Sequence, residues 1–246
     1  MRTILTFGFI FLYLLVGYIP LGFFWLYGKF VNQEKADLIQ LRMVQWVFKV
    51  LHVLAGINIK VIGEENVPKD EAVLYVANHR SMVDIVITYA RCPGRTGFVA
   101  KEVVNKVPAL RAWMKRLHCE FLNRDDVKEG LKVILSCIEK VKNGISIFIF
   151  PEGTRNKNKE NPTDIGEFKD GSFKIASKTG CKIVPVAITG TNKIFEDHAP
   201  FIKGADVILE YGKPVTFSEL EKEDQKHIGA YFQNMIQEML IGHQNL

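Results

Sequence analysis

The stretch "VLYVANHRSMVDIVITYA", Val73–Ala90, decides the fold. Val73 to Ala77 is apolar and β-prone, the composition of a buried strand, and Val83 to Ala90 carries enough apolar residues for a short helix. Between them lies a polar turn with His79. Ser81 to Asp84 reads S-x-x-D, a helix-start signature related to the capping box. A strand that turns directly into a helix is the unit of an α/β domain, and in open α/β sheets ligands bind beyond the carboxyl ends of the strands. His79 stands at such an end.

Outward from this unit the same texture repeats. Further strands are expected at Ile57–Ile62, Gly97–Ala100, Glu120–Asn123, Ser146–Phe150, Ile183–Ile188 and Val207–Tyr211. Helices fall at Pro108–Leu117, Val127–Lys142, Phe173–Thr179 and Glu219–Leu240, with Gly144 and Gly180 where C-terminal caps belong. This predicts an α/β fold with a mixed, largely parallel sheet flanked by helices over residues 57–246.

Residues 1–56 differ. From Thr3 to Gly28 there is no charged residue, a run long enough to cross a bilayer and longer than the apolar part of a signal peptide. Gly17, Pro20 and Gly22 interrupt it, while Trp25 and Tyr27 resemble interfacial anchors, so the run either spans or bends within one leaflet. From Asp37 to Ile57, Arg42, Gln45, Lys49 and His52 draw one polar stripe along a helix with a wide apolar side. Such a helix either packs in a core or lies partly immersed at the interface. The expectation is a two-helix membrane attachment.

The chain has 246 residues and a formal charge of +5, enough to favour anionic partners such as a lipid surface or a phosphorylated substrate. No run of Lys and Arg interleaved with aromatics suggests a nucleic-acid partner. Cys92, Cys119, Cys137 and Cys181 lack the spacing of a metal site and are expected to be reduced, buried thiols of a cytoplasmic domain; no metal is expected.

On an ideal helix, positions five apart are about 140° apart, so His79 and Asp84 meet only if His79 is on the turn and Asp84 in the first turn after it. Taken alone, this stretch favours the plainer reading, in which Asp84 helps cap the helix and His79 is a solvated turn residue. A second turn, "FIFPEGTRNK" from Phe148 to Lys157, ends another strand; Gly153 permits a tight turn and Arg155 supplies a fork suited to phosphate.

In combination, "NHRSMVD" and "FPEGTR" resemble the first and third motifs of the glycerolipid acyltransferases, the 1-acylglycerol-3-phosphate acyltransferase or PlsC family. "EFLNRDD" with Arg124 resembles the second motif, "IVPVAI" with Pro185 the fourth, and Lys101 in "FVAKEVV" a family-typical lysine. The resemblance covers about Ile57 to Tyr211. It implies a glycerol-3-phosphate acyltransferase-like fold on the cytoplasmic face of a membrane. It also implies transfer of a fatty acyl group from acyl-CoA or acyl carrier protein to lysophosphatidic acid, giving phosphatidic acid without a further cofactor. His79 would be the base and Asp84 its orienting acid. Arg124, Arg155 and Lys101 would clamp phosphate beside the Gly153 and Thr154 backbone, and Glu152 would order the turn or bind a glycerol hydroxyl. For the oxyanion hole the backbone N–H groups after His79 are the candidates.

Several alternatives stay open from sequence. The acceptor could instead be glycerol-3-phosphate or another lysophospholipid, and a membrane lipid-binding protein without catalysis would want the same cations. A hydrolase is a weaker alternative, since no G-x-S-x-G elbow occurs and Ser81 is the one hydroxyl close in sequence to His79.

Overall fold

The computed structural model describes residues 1–123, 126–158 and 161–246. Three helices open the chain: α1 (Arg2–Val16), α2 (Tyr18–Phe30) and α3 (Gln33–Ala55). The α/β region then runs β1 (Ile57–Ile62), β2 (Leu74–Ala77), α4 (Val83–Tyr89), β3 (Thr96–Lys101), α5 (Pro108–Arg116), β4 (Glu120–Leu122), α6 (Val127–Lys142) and β5 (Ser146–Ile149). It ends with α7 (Lys174–Thr179), β6 (Lys182–Thr189), β7 (Ala205–Tyr211), β8 (Val215–Thr216), α8 (Lys222–Lys226) and α9 (Ile228–Gly242).

The strands lie in the order β1-β7-β6-β2-β5-β3-β4, with β8 added beside β6. Every ladder is parallel except β6–β7 and β6–β8. All four residues of β2 and all four of β5 are buried, as expected of strands covered on both faces. One face packs under α4, α5 and the N-terminal helices, the other under α6, α7 and α9. Fully buried side chains such as Ile147, Ile183 and Phe148 each contribute about 1.5–3 kcal/mol of transfer free energy.

Pro185 sits within the interior strand β6, where a missing N–H normally breaks a ladder. Its carbonyl accepts from Gly212 N–H at 2.9 Å, so its donor side faces β7 and β8. There β6 pairs with β8 through Ile183 and with β7 only from Val186 onward, so the missing donor falls in the gap between two partners.

The charge-free N-terminal run is two helices meeting at 43°. The break is at Gly17, where a Cβ would come within 3.1 Å of the Trp113 indole; Pro20 sits harmlessly in the first turn of α2 and Gly22 inside it. Large apolar side chains stay exposed along both, including Ile4, Phe11, Ile19, Phe23 and Phe30, and the pair is apolar enough for membrane association. α3 begins one turn earlier than expected because the Asn32 side chain accepts from Lys35 N–H at 2.8 Å. Its polar stripe is only partly exposed: Arg42 and Lys49 reach the surface, His52 is half-buried and Gln45 is buried. Gln45 donates to the carbonyls of Tyr89 and Cys92, and Arg42 to that of Pro93, so these side chains bind the last residue of α4 and the turn that follows it. The expected last helix is interrupted at His227, giving α8 and α9, and the two-residue β8 was too short to register as a pattern.

Candidate active site

Three neighbouring parallel strands build the site. In the order β6-β2-β5, Val76 lies level with Pro185 on one side and Ile149 on the other, so the loops leaving all three carboxyl ends meet. The β2 loop brings His79, the β5 loop Glu152 to Arg155, and the β6 loop Thr191. Asn78 fastens the first loop to β6: its amide donates to the Ile188 carbonyl and accepts from Ile188 N–H, at 2.9 and 2.8 Å.

His79 and Asp84 do meet, with Nδ1 and Oδ2 2.8 Å apart. The same Oδ2 accepts from the N–H groups of Arg80 and Ser81, at 2.8 and 2.9 Å, and Oδ1 accepts from the Thr191 hydroxyl at 2.5 Å. Asp84 is fully buried. Capping and orienting are therefore one arrangement, because the carboxylate that closes the first turn of α4 also holds the imidazole. With Nδ1–H donated to Asp84, Nε2 carries the lone pair. The Phe150 ring stacks on the imidazole at 4.1 Å between centroids, fixing its plane.

The expectation that N–H groups after His79 form an oxyanion hole is corrected by the same geometry. Those of Arg80 and Ser81 are held by Asp84, and that of Met82 donates to Glu196 at 2.8 Å. A donor already committed inside the turn has no proton to offer an oxyanion.

Glu152 is not a surface carboxylate. It is buried, and it accepts from His79 N–H at 2.6 Å and Gly166 N–H at 2.8 Å, tying the two loops together. Burial raises its carboxyl above the ordinary value, against the pull of those two donors and of the His79 ring. Gly153 adopts φ +71°, which a side chain would strain. Arg155 reaches Glu196 at 2.9 Å while staying partly exposed, and Thr154 and Lys101 are exposed. Arg124 lies outside the described residues. A cavity of about 740 Å³ is lined by Glu152, Thr154, Arg155, Asn156, Lys157 and Lys169, among others. It adjoins the His79 turn, since Asn156 N–H donates to the His79 carbonyl at 2.7 Å.

Several supporting groups escaped the sequence reading. Glu196 accepts from Ser81 Oγ at 2.5 Å, Met82 N–H and Arg155, clamping the first motif to the third. Arg80 is buried and donates to the carbonyls of Pro162, Asp164 and Asn158, holding the loop beyond the cavity. Lys169 adds a cation to the cavity wall. Thr191 and Glu196 follow β6, more than a hundred residues after His79, and only strand order brings them close; the one local signal was the Gly190 turn, at φ +90°.

Comparison with known proteins agrees with this architecture. Residues 58–189 match the family model described as Acyltransferase. A 1-acyl-sn-glycerol-3-phosphate acyltransferase of Borreliella burgdorferi is 31% identical over 197 residues, covering 79% of this chain and 76% of that protein. A chloroplastic 1-acyl-sn-glycerol-3-phosphate acyltransferase of Arabidopsis thaliana is 33% identical over 168 residues, 68% of this chain but only 44% of the longer plant protein. Among solved structures, the 1-acyl-sn-glycerophosphate (LPA) acyltransferase PlsC from Thermotoga maritima matches with a TM-score of 0.81 at 25% identity, covering 98% of this chain and 95% of that one.

Proposed function

The chain belongs to the acyltransferase family, and from that premise we propose that it transfers a fatty acyl group from acyl-CoA or acyl carrier protein to the sn-2 hydroxyl of 1-acylglycerol-3-phosphate, forming phosphatidic acid. The observation that carries this reading is the 2.8 Å contact between His79 Nδ1 and buried Asp84, on a turn that adjoins a cavity lined by Arg155, Lys157 and Lys169. In this reading His79 Nε2 removes the acceptor's hydroxyl proton as that oxygen attacks the thioester carbonyl. The tetrahedral intermediate then expels the thiolate by breaking the C–S bond, and the imidazolium returns the proton to sulfur. Asp84 keeps the ring in the productive tautomer and stabilises the imidazolium. Arg155, Lys101 and Arg124 hold the acceptor phosphate, with the Gly153–Thr154 backbone close to it.

A direct transfer is favoured over an acyl-enzyme because no suitable nucleophile stands beside His79 among the described residues. Ser81 Oγ donates to Glu196, and the four cysteines are buried, with Cys92 and Cys137 pushed up to about 12 by burial. We assign residues 1–56 to membrane attachment and 57–246 to the acyltransferase domain, on the cytoplasmic face where free thiols persist.

The test is acyl transfer by detergent-purified protein from long-chain acyl-CoA and acyl carrier protein, with lysophosphatidic acid and glycerol-3-phosphate compared as acceptors. Phosphatidic acid from the first acceptor, with no acyl-protein adduct by mass spectrometry, is expected. Preference for glycerol-3-phosphate, or a trapped adduct, would overturn the acceptor or the direct mechanism respectively.

A further inference from the structure

A second cavity, of about 390 Å³, lies at the opposite end of α4 from His79. It is lined by Arg42, Lys49 and His52 of α3, by Arg91, Cys92 and Pro93 after α4, and by Glu64. α4 has seven residues, so this cavity is on the order of 10 Å or more from the active-site turn. Three permanent cations face a single carboxylate. Glu64 is taken by Arg91 Nη1 at 3.0 Å, Arg42 is partly engaged by Gln45 and Pro93, and the buried Nε of Arg91 has no hydrogen-bond partner. Lys49 is exposed and makes no ion pair among the described residues.

Beside the cavity runs an apolar ridge. Ile39, Trp46 and Val53 recur every seven residues on α3 and are 39%, 60% and 79% exposed. By helix geometry Arg42 and Lys49 lie about 40–60° to one side of that ridge, between it and the cavity. An anion-accepting pocket bordered by uncovered apolar side chains is complementary to an amphiphile with a phosphate head. We propose that the α3–α4 cavity is a phosphate-binding site, separate from the catalytic one, that seats the headgroup of an anionic phospholipid while its chains lie along the Ile39–Trp46–Val53 ridge.

His52 reports on occupancy. Its Nε2 lies 3.3 Å from the Val86 carbonyl, and its imidazole is held below the ordinary value by burial first, then by the charges of Arg91 and Lys49. Arg42 and Glu64 are the other charged groups on the cavity wall. An anion among these cations offsets the two repulsions, so His52 titrates at higher pH when the site is filled.

The full chain would be bound to phosphatidylcholine vesicles with and without phosphatidylglycerol, as wild type, Lys49→Gln, Arg91→Gln and Lys35→Gln. Lys35 is an exposed lysine near the start of the same helix, so it controls for diffuse charge. Loss of one cavity cation should weaken the preference for phosphatidylglycerol about fivefold, and Lys35→Gln should do so distinctly less. Lys49→Gln keeps the test standing should Arg91→Gln misfold. In parallel, His52 would be titrated by NMR in phosphatidylcholine nanodiscs alone, with phosphatidylglycerol, and with inorganic phosphate. An upward shift with phosphatidylglycerol identifies the lipid headgroup, and one with inorganic phosphate only identifies a free anion as the occupant of the same phosphate site. The proposal fails if neither anion moves His52, or if Lys49→Gln and Arg91→Gln bind no more weakly than Lys35→Gln.

Discussion

Replacing Asp84 with Asn separates the charge of this residue from its hydrogen bonds. Asn fits the site if its carbonyl oxygen takes the place of Oδ2, because it then accepts from His79 Nδ1–H and from the N–H groups of Arg80 and Ser81 as the carboxylate does. Its NH₂ group would face Thr191, whose hydroxyl rotates from donor to acceptor. The flipped amide would confront two backbone donors, each left unsatisfied at about 1–3 kcal/mol, so the first orientation wins and the imidazole keeps its tautomer. What disappears is the negative charge beside the imidazolium. For charges about 4 Å apart at an effective dielectric of about 20, that is about 4 kcal/mol. At about 1.4 kcal/mol per decade the variant should lose roughly a thousandfold in kcat/KM. Continuous detection of released coenzyme A thiol measures it, with thermal melting alongside. A variant that melts near wild type and retains more than about a tenth of its activity would refute the electrostatic role assigned to Asp84.

Other outcomes follow from neighbouring contacts. Thr191→Val removes a hydroxyl donor to a buried carboxylate and should cost about 1.5–3 kcal/mol of unfolding free energy in urea titrations, together with a fall in kcat; unchanged stability would mean the 2.5 Å contact contributes nothing. Glu152→Ala leaves the N–H groups of His79 and Gly166 without their acceptor and should destabilise the fold by about 2–5 kcal/mol. Because the native Glu152 carboxyl is raised, its favourable contribution is fully present below the ordinary value of 4.5 and is lost as pH rises through the raised one. The stability gap between wild type and Glu152→Ala should therefore be widest at acid pH and narrow above it, and a gap that widens with pH would contradict the burial argument. Arg155→Gln should raise KM for lysophosphatidic acid more than it lowers kcat, and a pure kcat effect would argue against phosphate binding.

The α/β alternation was legible because each strand is a short apolar run ended by a turn, and the His79 turn announced itself through Ser81 and Asp84. Register and partner choice were not. Thr191 and Glu196 reach the first motif only because β6 lies beside β2, a long-range pairing that no local pattern encodes. The oxyanion expectation failed for a related reason, since the sequence does not reveal that Asp84 consumes the N–H groups it caps. On α3 the spacing of Arg42, Gln45 and Lys49 marked a polar stripe correctly, but only the folded chain reveals that Arg42 and Gln45 meet carbonyls of Tyr89 and of the turn after α4. α8 and α9 looked like one helix because no Pro marks the break at His227 and Gly229, two residues on, is tolerated inside a helix.

The most direct test is acyl transfer to lysophosphatidic acid by His79→Ala beside wild type, under saturating acyl thioester and with folding checked by melting. If His79 is the base, kcat should fall at least roughly a hundredfold while the protein stays folded. A folded His79→Ala enzyme with wild-type turnover would contradict the account, leaving "NHRSMVD" as the cap of α4 and nothing more.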